Sequence, residues 1–433
     1  MAFFLYDIFL HAALPALLPY FFFKMIFYGK YRSGIFERFG FIKKAKIETL
    51  RGKTVVWVHA VSVGETKAAL PLVKILKERN PFIRVVFSTV TATGNAVAKQ
   101  EGASFIDALI YFPLDFGWVV RRVVRSVTPS LFVAVEKEFW PNLLMTLDEN
   151  SVPVIVVNGV LSERSAKGYK KLAFLFGRAF GSISFFCAMT KQDAVRAAAL
   201  GIKENRIAVS GNLKFDTRPP ELSPVAKDSI RKSLGISGSV PVIVAGSTHR
   251  GEEDILLAAF GRLKKEFLGL KLVLAPRHPE RFDEVEAAVI KKGFSCRRKK
   301  KDMGKGPEAD VALLDTIGEL ASVYSISTIA FVGGTLVPIG GHNLLEPAFF
   351  GIPVVYGPHL QNCLQMAEAL EAGGASARVS AESVEREFGR LLQDESLRAK
   401  MGSAGKRVVK SNRGAIEMSC NVMERYLSGA PKK

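Results

Sequence analysis

Two stretches in the first half of the chain carry carboxylates where a reaction could use them. In Trp57-Val-His-Ala-Val-Ser-Val-Gly64-Glu65-Thr66, a β-branched run passes through a glycine turn into the helical pattern Thr66–Lys77, so Glu65 stands at a helix start. Free backbone N–H groups and the positive end of the helix dipole both favour an ionised carboxylate there. Such a group either caps its helix or takes a proton from an attacking hydroxyl; spacing leaves both readings open, and capping is the commoner. The run Leu131–Val135 ends in Glu136-Lys137-Glu138-Phe139-Trp140-Pro141-Asn142. Carboxylates after a strand's carboxyl end stand where doubly wound sheets bind ligands, or they open an exposed helix. Glu136 and Glu138 share a direction only while the strand persists, and at least one is expected to face the ligand.

The second half offers groups suited to an anion. Gly246-Ser247-Thr248-His249-Arg250-Gly251-Glu252 lies between a strand and a helix, where small residues let backbone N–H groups approach a phosphate. In Ala275-Pro276-Arg277-His278-Pro279, Arg277 can pair with a phosphate or carboxylate, or be structural. The densest pattern is Gly333-Gly334-Thr335 followed by Gly340-Gly341-His342-Asn343-Leu344-Leu345-Glu346-Pro347. Its glycines allow a close approach to a ligand, and Asn343 and Glu346, three apart, can face that ligand from one helical turn. A carboxylate there suits ribose hydroxyls. No phosphate loop ending in Gly-Lys-Ser/Thr occurs, and the first strand–helix junction lacks Gly-x-Gly-x-x-Gly, so ATP and NAD chemistry find no support. The first half also lacks a compact acidic metal motif, and no metal cofactor is expected.

The elements that must position these residues alternate. The runs Val55–Val61, Val85–Val90, Leu131–Val135, Val154–Val157 and Ile207–Val209 are separated by helical patterns. The scheme repeats with Val242–Ala245, Leu270–Ala275, Val311–Leu314, Ile329–Val332 and Val354–Tyr356. Short buried strands between amphipathic helices predict an α/β fold of two doubly wound parallel-sheet domains, as a length of 433 residues also suggests. Asp216 to Pro241, rich in proline and glycine, is expected to be the hinge, with substrate held between the domains and a last helix near Ala415–Leu427 crossing back to the first. Cys187, Cys296, Cys363 and Cys420 are isolated, which fits a reducing cytoplasm.

With 60 basic against 41 acidic residues the chain carries a formal charge of +19 and needs a polyanionic partner or surface. Nine basic and two acidic residues fall between Lys24 and Lys53, directly after the apolar stretch Phe3–Tyr28. Ile8–Phe27 is about long enough to span a bilayer at roughly 20 residues, although Pro15, Pro19 and Lys24 interrupt it, and an interfacial anchor or a helix packed on the body are the alternatives. The basic flank places the body in the cytoplasm. A tethered nucleic-acid binder is the non-enzyme reading, suggested by the charge and by Arg297-Arg-Lys-Lys-Lys301. That run reads more simply as a solvated loop without interleaved aromatics, and no nucleic acid is expected.

Taken in order, the segments 59–66, 136–142, Gly211-Asn-Leu-Lys-Phe-Asp216, 276–282 and 340–347 resemble the bacterial Kdo (3-deoxy-D-manno-octulosonic acid) transferases of lipopolysaccharide assembly along nearly the whole chain. The resemblance implies the GT-B glycosyltransferase fold with an N-terminal membrane-anchoring helix at the cytoplasmic face of the inner membrane. It further implies transfer of Kdo from CMP-Kdo to lipid IVA, near anionic inner-membrane lipids and with no cofactor. In its terms residues 1–28 are the anchor, 29–215 the acceptor-binding domain, 216–240 a linker and 241–433 the CMP-sugar domain. Glu65 is then the catalytic base, with Glu136 and Lys214 supporting the reacting centre. The CMP contacts are Pro276 and Arg277, the turn Gly318-Glu319-Leu320, and Asn343, Leu344, Leu345 and Glu346. Lys137, between the two glutamates, departs from the family's pattern without chemical meaning. Another GT-B enzyme using a UDP-sugar is the nearest enzyme alternative.

Overall fold

Runs of Val, Ile, Leu and Phe that are apolar on both faces can only be satisfied between two layers of helices, and that is how both sheets are built. The computed structural model describes residues 5–13, 15, 19, 23, 33–217, 219, 221–302 and 308–429. It divides into two units, Met1–Thr217 with Arg413–Lys433, and Arg218–Asn412.

The first unit holds β1 (Val55–His59), β2 (Arg84–Thr89), β3 (Ala108–Tyr111), β4 (Leu131–Val135), β5 (Val154–Gly159), β6 (Phe185–Ala188) and β7 (Ile207–Val209). All pair in parallel, in the order β3-β2-β1-β4-β5-β6-β7. The order reverses between β1 and β4, and such a switch point opens a crevice at the strands' carboxyl ends. One face of the sheet is packed around Trp57, Phe132 and Phe186, the other around Val56, Phe87 and Val133. The Trp57 indole N–H, fully buried, donates to Ser88 Oγ at 2.8 Å.

The second unit repeats the plan with β8 (Val242–Thr248), β9 (Lys271–Pro276), β10 (Cys296–Arg298), β11 (Val311–Leu313), β12 (Ile329–Val332), β13 (Val354–Tyr356) and β14 (Ser376–Arg378). Their order, β10-β11-β9-β8-β12-β13-β14, switches between β8 and β12.

Four strands have no counterpart among the predicted runs: β3, β6, β10 and β14. Three of them are sheet edges; β10 and β14 carry few apolar residues, as an edge allows, whereas β3 and β6 are apolar but only four residues long. The expected solvated loop at Arg297–Lys301 is corrected in part, because Arg297 and Arg298 lie in β10 and are buried. The Arg298 guanidinium is paired with Asp283, Glu286 and Asp315, and Lys299 with Glu319 at 2.6 Å. Ion pairing with the protein itself therefore consumes much of a charge run that suggested a polyanion.

Two expected boundaries are also corrected. The segment 216–240 is not simply a linker, since it contains the helix Pro224–Ser233, started by a Ser223 side-chain cap and belonging to the second unit. The domain expected over 241–433 stops short of the terminus, because the helix Ala415–Leu427 belongs to the first unit. Its Ile416, Cys420 and Met423 enter the core beside Val73 and Leu76. The Asp216 carboxylate accepts the Gly414 and Ile416 N–H groups, both at 2.7 Å, and so caps that helix from a distant part of the chain.

Most of the proposed anchor, Ile8–Phe27, lies outside the described residues. Residues 5–13 are helical and dock by their polar side. Tyr6 donates to Asp115 at 3.2 Å, and Asp7 accepts from the Gly117 N–H at 2.8 Å and the Asn142 amide at 3.0 Å. Leu5, Ile8 and Phe9 face outward, Phe9 being 65% exposed. Among the described residues no helix is long and apolar enough to cross a membrane. Of the basic stretch, Arg38 and Lys46 are turned to internal use: Arg38 donates to Val90 O, and Lys46 bonds Glu37 and Leu109 O.

Candidate active site

In the first unit the switch point carries the carboxylates. Glu65 is the third residue of the helix Val63–Arg79, which follows β1. Its carboxylate accepts the Val61 N–H at 2.6 Å and the Ser62 hydroxyl at 3.3 Å, so it does secure the helix start. It is also 8% exposed, and burial, followed by the nearby Glu136 charge, pushes its pKa up to about 7. Capping and proton transfer are thus compatible: the hydrogen bonds hold the carboxyl in place while burial tunes it to exchange a proton near neutrality.

Glu136 directly follows β4, the neighbour of β1, and adopts φ 67. A left-handed non-glycine residue costs on the order of 1–3 kcal/mol and is kept where the surroundings require it. The strand has ended by then, so Glu138 is freed from alternation and accepts the Trp140 indole N–H at 3.1 Å. Burial, chiefly, raises the Glu138 carboxyl as well.

Asn158, in β5, belongs to none of the motifs that mark a site in the sequence. It is fully buried with φ 55, its amide donates to Glu136 Oε1 at 3.4 Å, and its carbonyl oxygen accepts the Leu213 N–H at 3.0 Å. It therefore ties Glu136 to the turn Leu213–Asp216 that presents Lys214. Lys214 is half-buried, and among the described residues its ammonium has no hydrogen-bond or ion-pair partner. A signal existed: Asn158 is a polar residue ending an apolar run, as Glu136 is. His59, from the same motif as Glu65, is instead a core residue. It stacks on Phe112 at 3.7 Å, and burial lowers its pKa to about 3.

In the second unit the residues predicted to meet the nucleotide lie at or beyond the carboxyl ends of β8, β9, β11 and β12. Arg277 is exposed just beyond β9, its backbone N–H donating to Thr248 O at 3.0 Å, and among the described residues its guanidinium has no hydrogen-bond or ion-pair partner. Asn343 caps the short helix Leu345–Phe350 by accepting the Leu345 N–H at 3.1 Å, and its amide donates to Glu346 at 3.2 Å. Leu344 and Leu345 are wholly buried, backbone included, and underlie the turn rather than line it. The turn Gly318-Glu319 lines a cavity of about 450 Å³ with Lys299 and with Leu222, Ala226 and Ile230 of the supposed linker.

Glu252 is the other residue whose role the sequence hid. Its buried carboxylate accepts backbone N–H groups from His249, Gly334, Thr335 and Leu336 at 2.7 to 2.9 Å, which fixes the glycine loop. The glycines answer to space as well as to φ. Gly341 has φ +83, and a Cβ there would lie 2.5 Å from Cys363 Sγ. Among the described residues no group of three or more His, Cys, Asp or Glu is arranged to hold a metal ion.

Residues 33–217 match the family described as 3-Deoxy-D-manno-octulosonic-acid transferase (kdotransferase). The chain is 35% identical over 402 residues to the 3-deoxy-D-manno-octulosonic acid transferase of Haemophilus influenzae, covering 92% of each chain. It is 31% identical to the enzyme of the same name from Chlamydophila psittaci, over 98% of this chain and 96% of that one. A solved glycosyltransferase from Rickettsia africae superposes with a TM-score of 0.60 at 14% identity, over 88% of this chain and all of that one, which shows a GT-B-like α/β fold. With identities of this size running through both units of the chain, the protein belongs to the 3-deoxy-D-manno-octulosonic acid transferases.

Proposed function

We propose that this glycosyltransferase moves Kdo from CMP-Kdo onto lipid IVA at the cytoplasmic face of the inner membrane, releasing CMP with inversion at the anomeric carbon. The observation that carries the chemistry is Glu65, a positioned carboxyl brought to about 7 by burial and by Glu136 at the switch point of the first sheet. A general base works best with a pKa near the operating pH. In this reading Glu65 takes the proton of the acceptor hydroxyl as its oxygen attacks the anomeric carbon. The bond from that carbon to the phosphate oxygen breaks, and CMP departs with the electron pair. Glu136 and Lys214 support the reacting centre, held in register by Asn158.

The second unit takes the donor. Arg277 meets its phosphate and Glu346 the ribose hydroxyls, with Leu344 and Leu345 packed beneath the turn that Asn343 fixes. The cavity beside Gly318, Glu319 and Leu320 suits a pyrimidine, and Pro276 sets the direction of Arg277. Mass spectrometry of lipid IVA after incubation with CMP-Kdo is the direct test. Added Kdo masses are expected together with released CMP, and their number gives the stoichiometry. An unmodified acceptor, or turnover of a UDP-sugar instead, would sink the reading.

The outward face of residues 5–13 supports attachment to anionic inner-membrane lipid, because an amphipathic helix that docks by Tyr6 and Asp7 leaves Leu5, Ile8 and Phe9 for the lipid. Phe9→Asp is expected to weaken cosedimentation with vesicles containing phosphatidylglycerol by about tenfold or more, the loss of one buried large side chain. High salt should enlarge the difference by screening the remaining basic surface. Unchanged sedimentation at high salt would show that this face does not enter lipid.

A further inference from the structure

His249 follows β8 and His342 lies in the glycine loop after β12, so the two imidazoles meet across the switch point of the second sheet. Their Nε2 atoms are 2.8 Å apart and their rings are nearly parallel, at 3° with centroids 5.1 Å apart. Two imidazole nitrogens at that distance require one proton between them, donated by one ring and accepted by the other. The contact is built in from both sides. Glu252 bonds the His249 N–H and the loop from Gly334 to Leu336, and a Cβ on Gly334 would lie 3.2 Å from the His342 ring.

We propose that His249 and His342 form a proton-sharing pair which is neutral in the free protein and takes up one further proton when the oxyanion of the donor nucleotide binds. This deepens the reading of the second unit as the CMP-sugar site and rests on it. The surroundings explain the neutral state. His278 approaches the His249 ring edge-on at 5.3 Å, and Arg277 and Arg281 are the facing cations. The facing carboxylates are already committed: Glu253 is paired with Arg281 at 2.9 Å, and Glu252 is saturated by backbone N–H groups. Burial first, and then Arg277, His249 and His278, lower His342 to about 4, while burial and the neighbouring His278 lower His249. A phosphodiester arriving at Arg277 supplies the negative charge that these groups lack, which favours the protonated pair. By linkage, donor affinity then falls as pH rises through the pKa of the bound pair.

The test uses the cytidine 5′-phosphate methyl ester, whose phosphodiester does not itself titrate near neutrality. Calorimetry of its binding at pH 7 in buffers of different ionisation enthalpy counts the protons exchanged. Uptake of up to about one proton per ligand is expected in the unmodified protein. In His249→Gln/His342→Gln the uptake should vanish and binding should weaken severalfold, whereas His278→Gln should keep the uptake. Binding without uptake overturns the pair and leaves the nucleotide site standing, as does uptake that survives in the double variant. Absence of ligand binding overturns the nucleotide reading instead. The free protein gives an independent measure, since nitrogen NMR should find His342 neutral down to at least pH 6, and a charged ring there would also overturn the pair.

Discussion

Glu65→Gln is expected to lower the transfer rate by about 10²–10⁴ while leaving the fold and CMP affinity intact, because glutamine keeps the shape of the side chain and cannot take a proton. The cap contribution is separable. Losing part of a helix cap costs about 1 kcal/mol of stability and does not touch chemistry, so thermal unfolding measured beside turnover distinguishes the two roles. The acid limb of kcat/KM carries a second signature. Glu65 must be ionised to act, so activity should fall as pH drops through about 7, where burial and Glu136 have placed its pKa. Removing the neighbouring charge in Glu136→Gln should move that limb to lower pH, since the larger of the two carboxylate charges that add to burial is gone. Wild-type turnover in Glu65→Gln, or an acid limb unmoved in Glu136→Gln, would transfer the role of base to another group.

Arg277→Ala is expected to raise the CMP dissociation constant about tenfold or more, the loss of a charge-assisted contact worth roughly 1.5–3 kcal/mol. The exposed guanidinium has no ion-pair partner among the described residues, so its removal should leave no buried charge behind and little change in stability. Glu346→Ala should weaken binding through the ribose hydroxyls instead, and its effect should disappear for a ligand lacking them. Calorimetry with CMP and with the 2′,3′-dideoxynucleotide separates the two losses. Wild-type affinity in both variants would place the nucleotide elsewhere.

The sequence by itself determined the α/β class, ten of the strands, and the segments where Glu65, Glu136, Arg277 and Glu346 stand, because central parallel strands must be apolar on both faces and ligands gather at their carboxyl ends. Edge strands such as Cys296–Arg298 escaped, since one neighbour imposes less apolar character than two, and Arg298 could be buried only because Asp283, Glu286 and Asp315 converge on it from elsewhere. Tertiary structure alone decided that Glu65 both fastens its helix and has a pKa near neutrality, because burial and the approach of Glu136 come from the order in which β1 and β4 pair, which no local pattern encodes. It likewise decided that Asp216 receives a helix start two hundred residues away, that Asn158 joins Glu136 to the Lys214 turn, and that Glu252 holds the glycine loop. A single polar side chain looks the same in the sequence whether it meets water or three backbone donors, and only the folded chain brings those donors to it.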